Sequence, residues 1–154
     1  MIDTPRIVQI AGRPAALLRL TIPRSEIQTV MGPAIGEVMS TVAQQGVAAT
    51  GPVFTHHLAM DPATFDFEVG VTVATPIRPA GRVRLGMWPG MRAAQTVYRG
   101  PYEGLGAAWG EFDAWIAAQG LAAAPDLWEC YLAGPESGPD PTTWRTELNR
   151  PLVG

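Results

Sequence analysis

Pro125-Asp126-Leu127-Trp128-Glu129-Cys130-Tyr131-Leu132 stands in the second half of a 154-residue chain where Pro52-Val53-Phe54-Thr55-His56-His57-Leu58 stands in the first. Each is a strand-like run opened by proline. Each follows an amphipathic stretch, which ends at Gln119-Gly120 in one half and at Gln45-Gly46 in the other. A strand precedes each helix (Ala15–Leu20, Ala93–Tyr98) and another follows each run (Phe67–Val73, Trp144–Leu152), with Glu68 and Glu147 in equivalent places. The order strand, helix, strand, strand therefore occurs twice. Halves of this size bury a core poorly alone, so the doubling predicts one pseudo-symmetric α+β domain over 1–154, its halves roughly 1–78 and 79–154. A seam between like halves is a natural place for a ligand groove.

Composition narrows the class. Hydrophobic residues make up 47% of the chain and the net charge is -3, as expected of one globular domain. The 17 glycines and 15 prolines are turn punctuation, below the level that signals disorder. Every basic residue is arginine, scattered along a mildly acidic chain, which argues against direct nucleic-acid binding. No apolar run approaches membrane-spanning length and no signal peptide opens the chain, so neither a membrane nor export is expected. A lone cysteine, Cys130, excludes an internal disulfide and fits a reducing cytoplasm, the expected location.

The first helix is expected to begin after Pro23 with Ser25 as N-cap, and to break at Gly32-Pro33. Its apolar residues Ile27, Val30, Met31, Ile35, Val38, Met39 and Val42 keep helical spacing. The second helix, 103–119, puts Leu105, Trp109, Phe112 and Ile116 on one stripe. Trp88-Pro89-Gly90 reads as a hairpin tip between strands 82–87 and 92–99, and 134–141 reads as a loop. Strand parity then assigns faces. Trp128, Cys130 and Leu132, with Phe54, His56 and Leu58, are expected to meet the helices. So are Phe67, Val69, Val71 and Val73. The opposite face would gather Thr55, His57, Glu68, Glu129, Tyr131 and Glu147.

The residues also resemble a known family. Ile22-Pro23 leading to Glu26-Ile27, Phe65-Asp66-Phe67-Glu68-Val69-Gly70-Val71, and Gly100-Pro101-Tyr102-Glu103-Gly104-Leu105 carry the likeness. Trp128-Glu129-Cys130-Tyr131-Leu132 followed by Thr146-Glu147-Leu148 completes it. Together, in this order, they resemble the GyrI-like small-molecule-binding family, which includes the effector-binding domains of multidrug-responsive bacterial transcription regulators. The resemblance implies tandem βαββ repeats (a duplicated SHS2-like fold), an antiparallel sheet with both helices on one face, and a ligand groove between the halves. Regulators of this group add a helix-turn-helix domain for which this chain has no room, so a stand-alone member is expected.

Glu129 matches the glutamate of the family's Glu-x-Tyr motif, which implies a groove carboxylate that anchors hydrophobic, often cationic, aromatic molecules. The residue chemistry agrees: a carboxylate among aromatic rings neutralises a cation while the rings add cation–π attraction. Tyr131 would add a ring and a hydroxyl. Trp88, Tyr102, Trp109, His57 and Glu68 are the remaining candidate ligand contacts. The bland alternative for Glu129 is an ion pair with Arg145 or Arg99. Glu103 suits a helix N-terminus, and Cys130 on an apolar face is inert packing.

A second reading is enzymatic. Some stand-alone relatives in the family hydrolyse strained cyclopropane rings of DNA-alkylating natural products, and the resemblance would make Glu129, Glu68 and Tyr131 the catalytic groups, a carboxylate acting as general base. A third reading, topoisomerase inhibition by an acidic surface, is disfavoured by the small net charge. No cofactor or metal is expected. His56 and His57 point to opposite faces and cannot chelate one ion, and the match to the haem-associated SOUL proteins, which share a related duplicated fold, is poor.

Overall fold

Two amphipathic helices, each needing a sheet to cover its apolar stripe, organise the chain. The computed structural model describes residues 2–60, 63–134 and 138–153; part of the loop expected over 134–141 lies outside them, at 135–137. In chain order the first elements are β1 (Arg6–Ile10), β2 (Arg13–Pro23), α1 (Ile27–Gln44), β3 (Phe54–Met60), β4 (Thr64–Thr72) and β5 (Arg84–Trp88). Then come β6 (Met91–Arg99), α2 (Leu105–Ala118), β7 (Ala122–Ala123), β8 (Leu127–Ala133) and β9 (Arg145–Val153). A short 3-10 turn leads into each helix, at Arg24–Glu26 and at Tyr102–Gly104.

Contacts divide the chain into two units, Ala11–Gly90 and Met1–Ile10 with Met91–Gly154. In the first, the antiparallel order is β5-β2-β4-β3; in the second it is β1-β6-β9-β8, with β7 on the end of β9. Each unit thus holds one βαββ repeat plus an outer strand. The equivalence extends to register. His56 pairs with Glu68 as Cys130 pairs with Glu147, and the ladder shifts just after, at His57/Ala59 and at Tyr131/Ala133. Arg19 stands across from Glu68 as Val97 stands across from Glu147. Glu68 and Glu147 are equivalent, as the sequence predicts.

In the first unit α1 lays Ala34, Val38 and Val42 on Leu18, Phe67, Val69 and Val71. In the second, α2 lays Ala108, Phe112 and Ile116 on Ala94, Leu127 and Leu148. Burying a side chain such as Phe112 contributes about 1.5–3 kcal/mol, so these two stripes hold the helices in place.

Three local expectations are corrected. The first helix does not break at Pro33 but runs through it, with Glu26 rather than Ser25 at its N-cap. Proline removes one backbone hydrogen bond there, but the stripe on both sides of it is anchored to the sheet, and tertiary packing outweighs local preference. Trp88-Pro89-Gly90 is not a hairpin tip: β5 pairs with β2, and β6 pairs with β1 and β9.

The third correction concerns faces. On β8 it is Leu127, Glu129 and Tyr131 that share the α2 side, since they stand opposite Leu148 and Thr146 of β9, while Trp128 and Cys130 face away. On β3, Thr55 and His57 stand opposite Val69 and Phe67 on the α1 side, while Phe54 and His56 face away. β4 follows the prediction, with Phe67, Val69 and Val71 inward and Glu68 outward. The predicted polar face is therefore split within each unit. Thr55 and His57 part from Glu68, and Glu129 and Tyr131 part from Glu147. The physical reason lies in burial. Leu127, Trp128, Glu129 and Cys130 are all buried, so hydrophobicity no longer distinguishes the two sides of the strand.

Candidate functional site

Glu129 sits in the middle of β8 on the side covered by α2. The helical stripe that packs Phe112 and Ile116 also carries Trp109, one turn earlier, and this aims the indole at the same strand. Trp109 Nε1–H donates to Glu129 Oε2 at 2.7 Å. Tyr131, two residues along the strand and hence on the same side, donates its hydroxyl to Glu129 Oε1 at 2.9 Å. Glu129 is only 8% exposed. Removal from water pushes its pKa up, against the lowering effect of the two hydrogen bonds. A carboxyl in this setting takes up a proton readily, or a cation in its place.

Aromatic rings extend the cluster. Tyr102, in the turn before α2, meets the Tyr131 ring edge-on with centroids 6.0 Å apart. On its other side it meets Trp144 at 5.2 Å. The turn is held by Tyr98, whose hydroxyl donates to the Pro101 carbonyl at 2.9 Å. Gly104 is required there, because a Cβ at that position would overlap the Tyr98 hydroxyl. Arg150 of β9 lies 6.0 Å from the Trp109 ring centroid, donates to the Ala124 carbonyl and pairs with Asp113.

The structure thus brings Glu129, Tyr131, Trp109 and Tyr102 together. Two hydrogen bonds to the glutamate come from Trp109 and Tyr131, and Arg99 pairs with Asp3. Trp144 joins this cluster through Tyr102 and was not among the candidates that the sequence suggested. Its signal was available: it precedes Glu147 by the three residues that separate Phe65 from Glu68, at the mouth of an equivalent strand.

The other three candidates belong to the first unit. His57 is buried on the α1 side, stacked on Phe67 with centroids 5.3 Å apart and edge-on to Phe65 at 5.4 Å. Burial first, and then the charges of His56 and Arg24, lower its pKa to about 4. Glu68 faces away from α1 and bonds His56 Nδ1 at 3.1 Å. Trp88 is on that same outer side, edge-to-face with Phe54 at 4.8 Å. Glu147, across from Cys130, accepts from Asn149 at 3.0 Å. Cys130 is buried, and desolvation together with Glu147 pushes its thiol pKa up, which leaves it a poor nucleophile.

Among the described residues no group of three or more His, Cys, Asp or Glu side chains is placed to hold a metal ion. Nor is any described helix long and apolar enough to cross a membrane. A cavity of about 220 Å³ at the β1–β6 edge, lined in part by Asp3, Arg6 and Gln95, includes none of the candidate residues.

Comparison with known proteins follows the same lines. A family model for the GyrI-like small molecule binding domain matches residues 3–152. The EcmrR C-terminal domain superposes with a TM-score of 0.86 at 21% identity, covering 97% of each chain. In the EcmrR–DNA complex the match has a TM-score of 0.85 at 22% identity and covers 97% of this chain but 57% of that one, so this chain spans little more than half of that protein. SAV2435 bound to tetraphenylphosphonium aligns at a TM-score of 0.71 and 10% identity, over 99% of this chain and 95% of that one. A hydrolase from Listeria innocua aligns at 0.62 and 13%, over 97% and 91%. No curated protein sequence matches. At these identities the solved structures establish the fold.

Proposed function

This chain belongs to the GyrI-like small molecule binding domain family, and from that premise we propose that it binds hydrophobic aromatic cations, with Glu129 as the electrostatic anchor. The observation that carries the proposal is the buried carboxylate held by Trp109 and Tyr131, with Tyr102 and Trp144 continuing the aromatic surface. An anion removed from water gains most from a counter-charge that arrives without a tight hydration shell. A lipophilic cation with delocalised charge is such a partner, and the rings each add about 0.5–2 kcal/mol of cation–π attraction. That SAV2435 is bound to tetraphenylphosphonium in its own structure supports this ligand class. Direct nucleic-acid contact has no part in the proposal, since the chain carries a net charge of -3.

Calorimetric titration with tetraphenylphosphonium across pH tests the reading. Glu129 must be ionised to anchor the cation, and its pKa is raised. Affinity should therefore be weak in acid, climb as pH rises through that elevated value, and level off above it. No heat of binding at any pH would remove the ligand class. A profile equally flat in the parent and in Glu129→Gln would remove the anchor.

One observation favours a hydrolytic reading as the second choice. The Tyr131 hydroxyl bonded to Glu129 is an arrangement in which a carboxylate could act as base on a water while a phenol steadies a developing oxyanion. Incubation with a cyclopropane-bearing alkylating agent followed by mass spectrometry discriminates. A mass gain of one water, lost in Glu129→Gln, supports hydrolysis; intact compound throughout discards it.

A further inference from the structure

Leu85 and Met87 are 46% and 54% exposed, two of the most exposed large apolar side chains among the described residues, and both belong to β5. They stand across from Ala16 and Pro14 of β2, hence on one side of the sheet, the side of α1. The core under α1 is built on β2 and β4, so these two side chains lie beyond its cover. Single apolar residues on a surface need no explanation. A pair on an outer strand does. Among the described residues β5 pairs with β2 alone, which leaves its other backbone edge open.

An open edge is a template for another strand unless it is blunted. The outer strand of the second unit, β1, is blunted. Pro5 stands directly before it, and from Ile2↔Tyr98 to Arg6↔Gln95 the chain takes four steps against three on β6, which is a bulge. None of this protects β5. Its ladder with β2 is regular over all five residues, and no proline lies within it. At its centre is Gly86, where a Cβ would overlap Leu17. The strand therefore has no side chain of its own at its midpoint, and another backbone can come close there.

We propose that β5 is a self-association edge, on which β5 of a second copy of this chain pairs antiparallel about a twofold axis at Gly86. The sequence Arg84-Leu85-Gly86-Met87-Trp88 is self-complementary in that register, which is the one antiparallel register that pairs all five residues. Leu85 faces the partner's Met87 twice over, joining the exposed apolar side chains on the α1 side of each sheet. Arg84, the only charge of the strand, faces the partner's Trp88 and not its own counterpart, so no like charges are opposed. The interface is isologous and closes at two copies. Five paired residues make a small interface, below the ~1,200–2,000 Å² of stable complexes, so the dimer is expected to dissociate in the range of about 50 μM.

Sedimentation equilibrium of the full chain from about 5 to 500 μM should show a monomer–dimer equilibrium. Met87→Lys, which sets a charge on each side of the axis, should weaken it at least about 20-fold and leave the melting midpoint within about 2 °C. Cysteine pairing tests the register without relying on that variant. Under mild oxidation, Leu85→Cys mixed with Met87→Cys should cross-link at least about fivefold more than either alone. Facing residues lie within disulfide reach, whereas like residues sit on the diagonal, about 7–8 Å apart. Cys130 is buried and takes no part. A monomer at every concentration would overturn the proposal and leave the edge to a strand of another protein or to water. A dimer as strong in Met87→Lys, or cross-linking as extensive in either cysteine variant alone, would overturn it as well.

Discussion

Glu129→Gln should bind tetraphenylphosphonium about 30-fold more weakly than the parent at neutral pH and fold at least as stably. The 30-fold loss corresponds to about 2 kcal/mol, the scale of one desolvated ion–aromatic anchor. Glutamine suits the site sterically and in its hydrogen bonds. Trp109 Nε1 can only donate, so the amide oxygen must turn toward it. Tyr131 can donate or accept, so its hydroxyl accepts from the amide nitrogen in place of donating to Oε1. Both of these bonds are kept while the charge is lost.

The stability side follows from linkage. The folded-state pKa of Glu129 is raised by burial, so the folded protein binds more protons than the unfolded chain between the two pKa values. Stability from this group is complete below the unfolded pKa and is lost as pH rises through the folded one. Glutamine carries no such cost. Thermal melts at neutral pH should therefore place Glu129→Gln level with the parent or above it, while isothermal titration reports the weaker binding. A variant that melts lower and also binds weakly would show that the carboxylate holds the fold together, and the anchor argument would fall.

Gly70→Ala should destabilise the protein by about 3 kcal/mol, lowering its midpoint by roughly 10 °C. Gly70 lies in the interior of β4 between Leu17 of β2 and Phe54 of β3, on the side away from α1. A Cβ there would stand 2.6 Å from Leu17 Cδ2, 2.7 Å from the Ala16 carbonyl oxygen and 2.9 Å from Phe54 Cζ. The leucine can shift. The Ala16 carbonyl cannot, because Ala16 is fixed in the ladder opposite Val71, and moving Phe54 disturbs its contact with Trp88. Scanning calorimetry gives the answer. A shift of less than about 2 °C would mean that the sheet relaxes where it is argued to be rigid.

Much of the fold is legible in the residues themselves. Helical spacing at Leu105, Trp109, Phe112 and Ile116 located α2 and its buried stripe, because a 3.6-residue period admits one reading. The doubling located Glu68 and Glu147 as equivalents. Pro33 was misread because local propensity says nothing about how firmly the flanking turns are held by a sheet. Strand faces were misread at β3 and β8 because parity separates two sides of a strand without saying which side meets the helix. Where both are buried, apolar content gives no vote. The aromatic neighbours of Glu129 were named for the most part; the repeat marks Trp144 as the counterpart of Phe65, but its contact with Tyr102 joins residues far apart in the chain and shows only in the tertiary structure.

By itself the sequence determined the repeat, the identity of the helices, and the presence of one carboxylate among aromatic residues in a Glu-x-Tyr strand. Only the tertiary structure decided that this carboxylate turns under α2, where Trp109 and Tyr131 each bond one of its oxygens. That choice depends on which side of β8 the helix covers. The side is set by packing against Leu127 and Leu148 across the ladder, a long-range contact that no local pattern encodes.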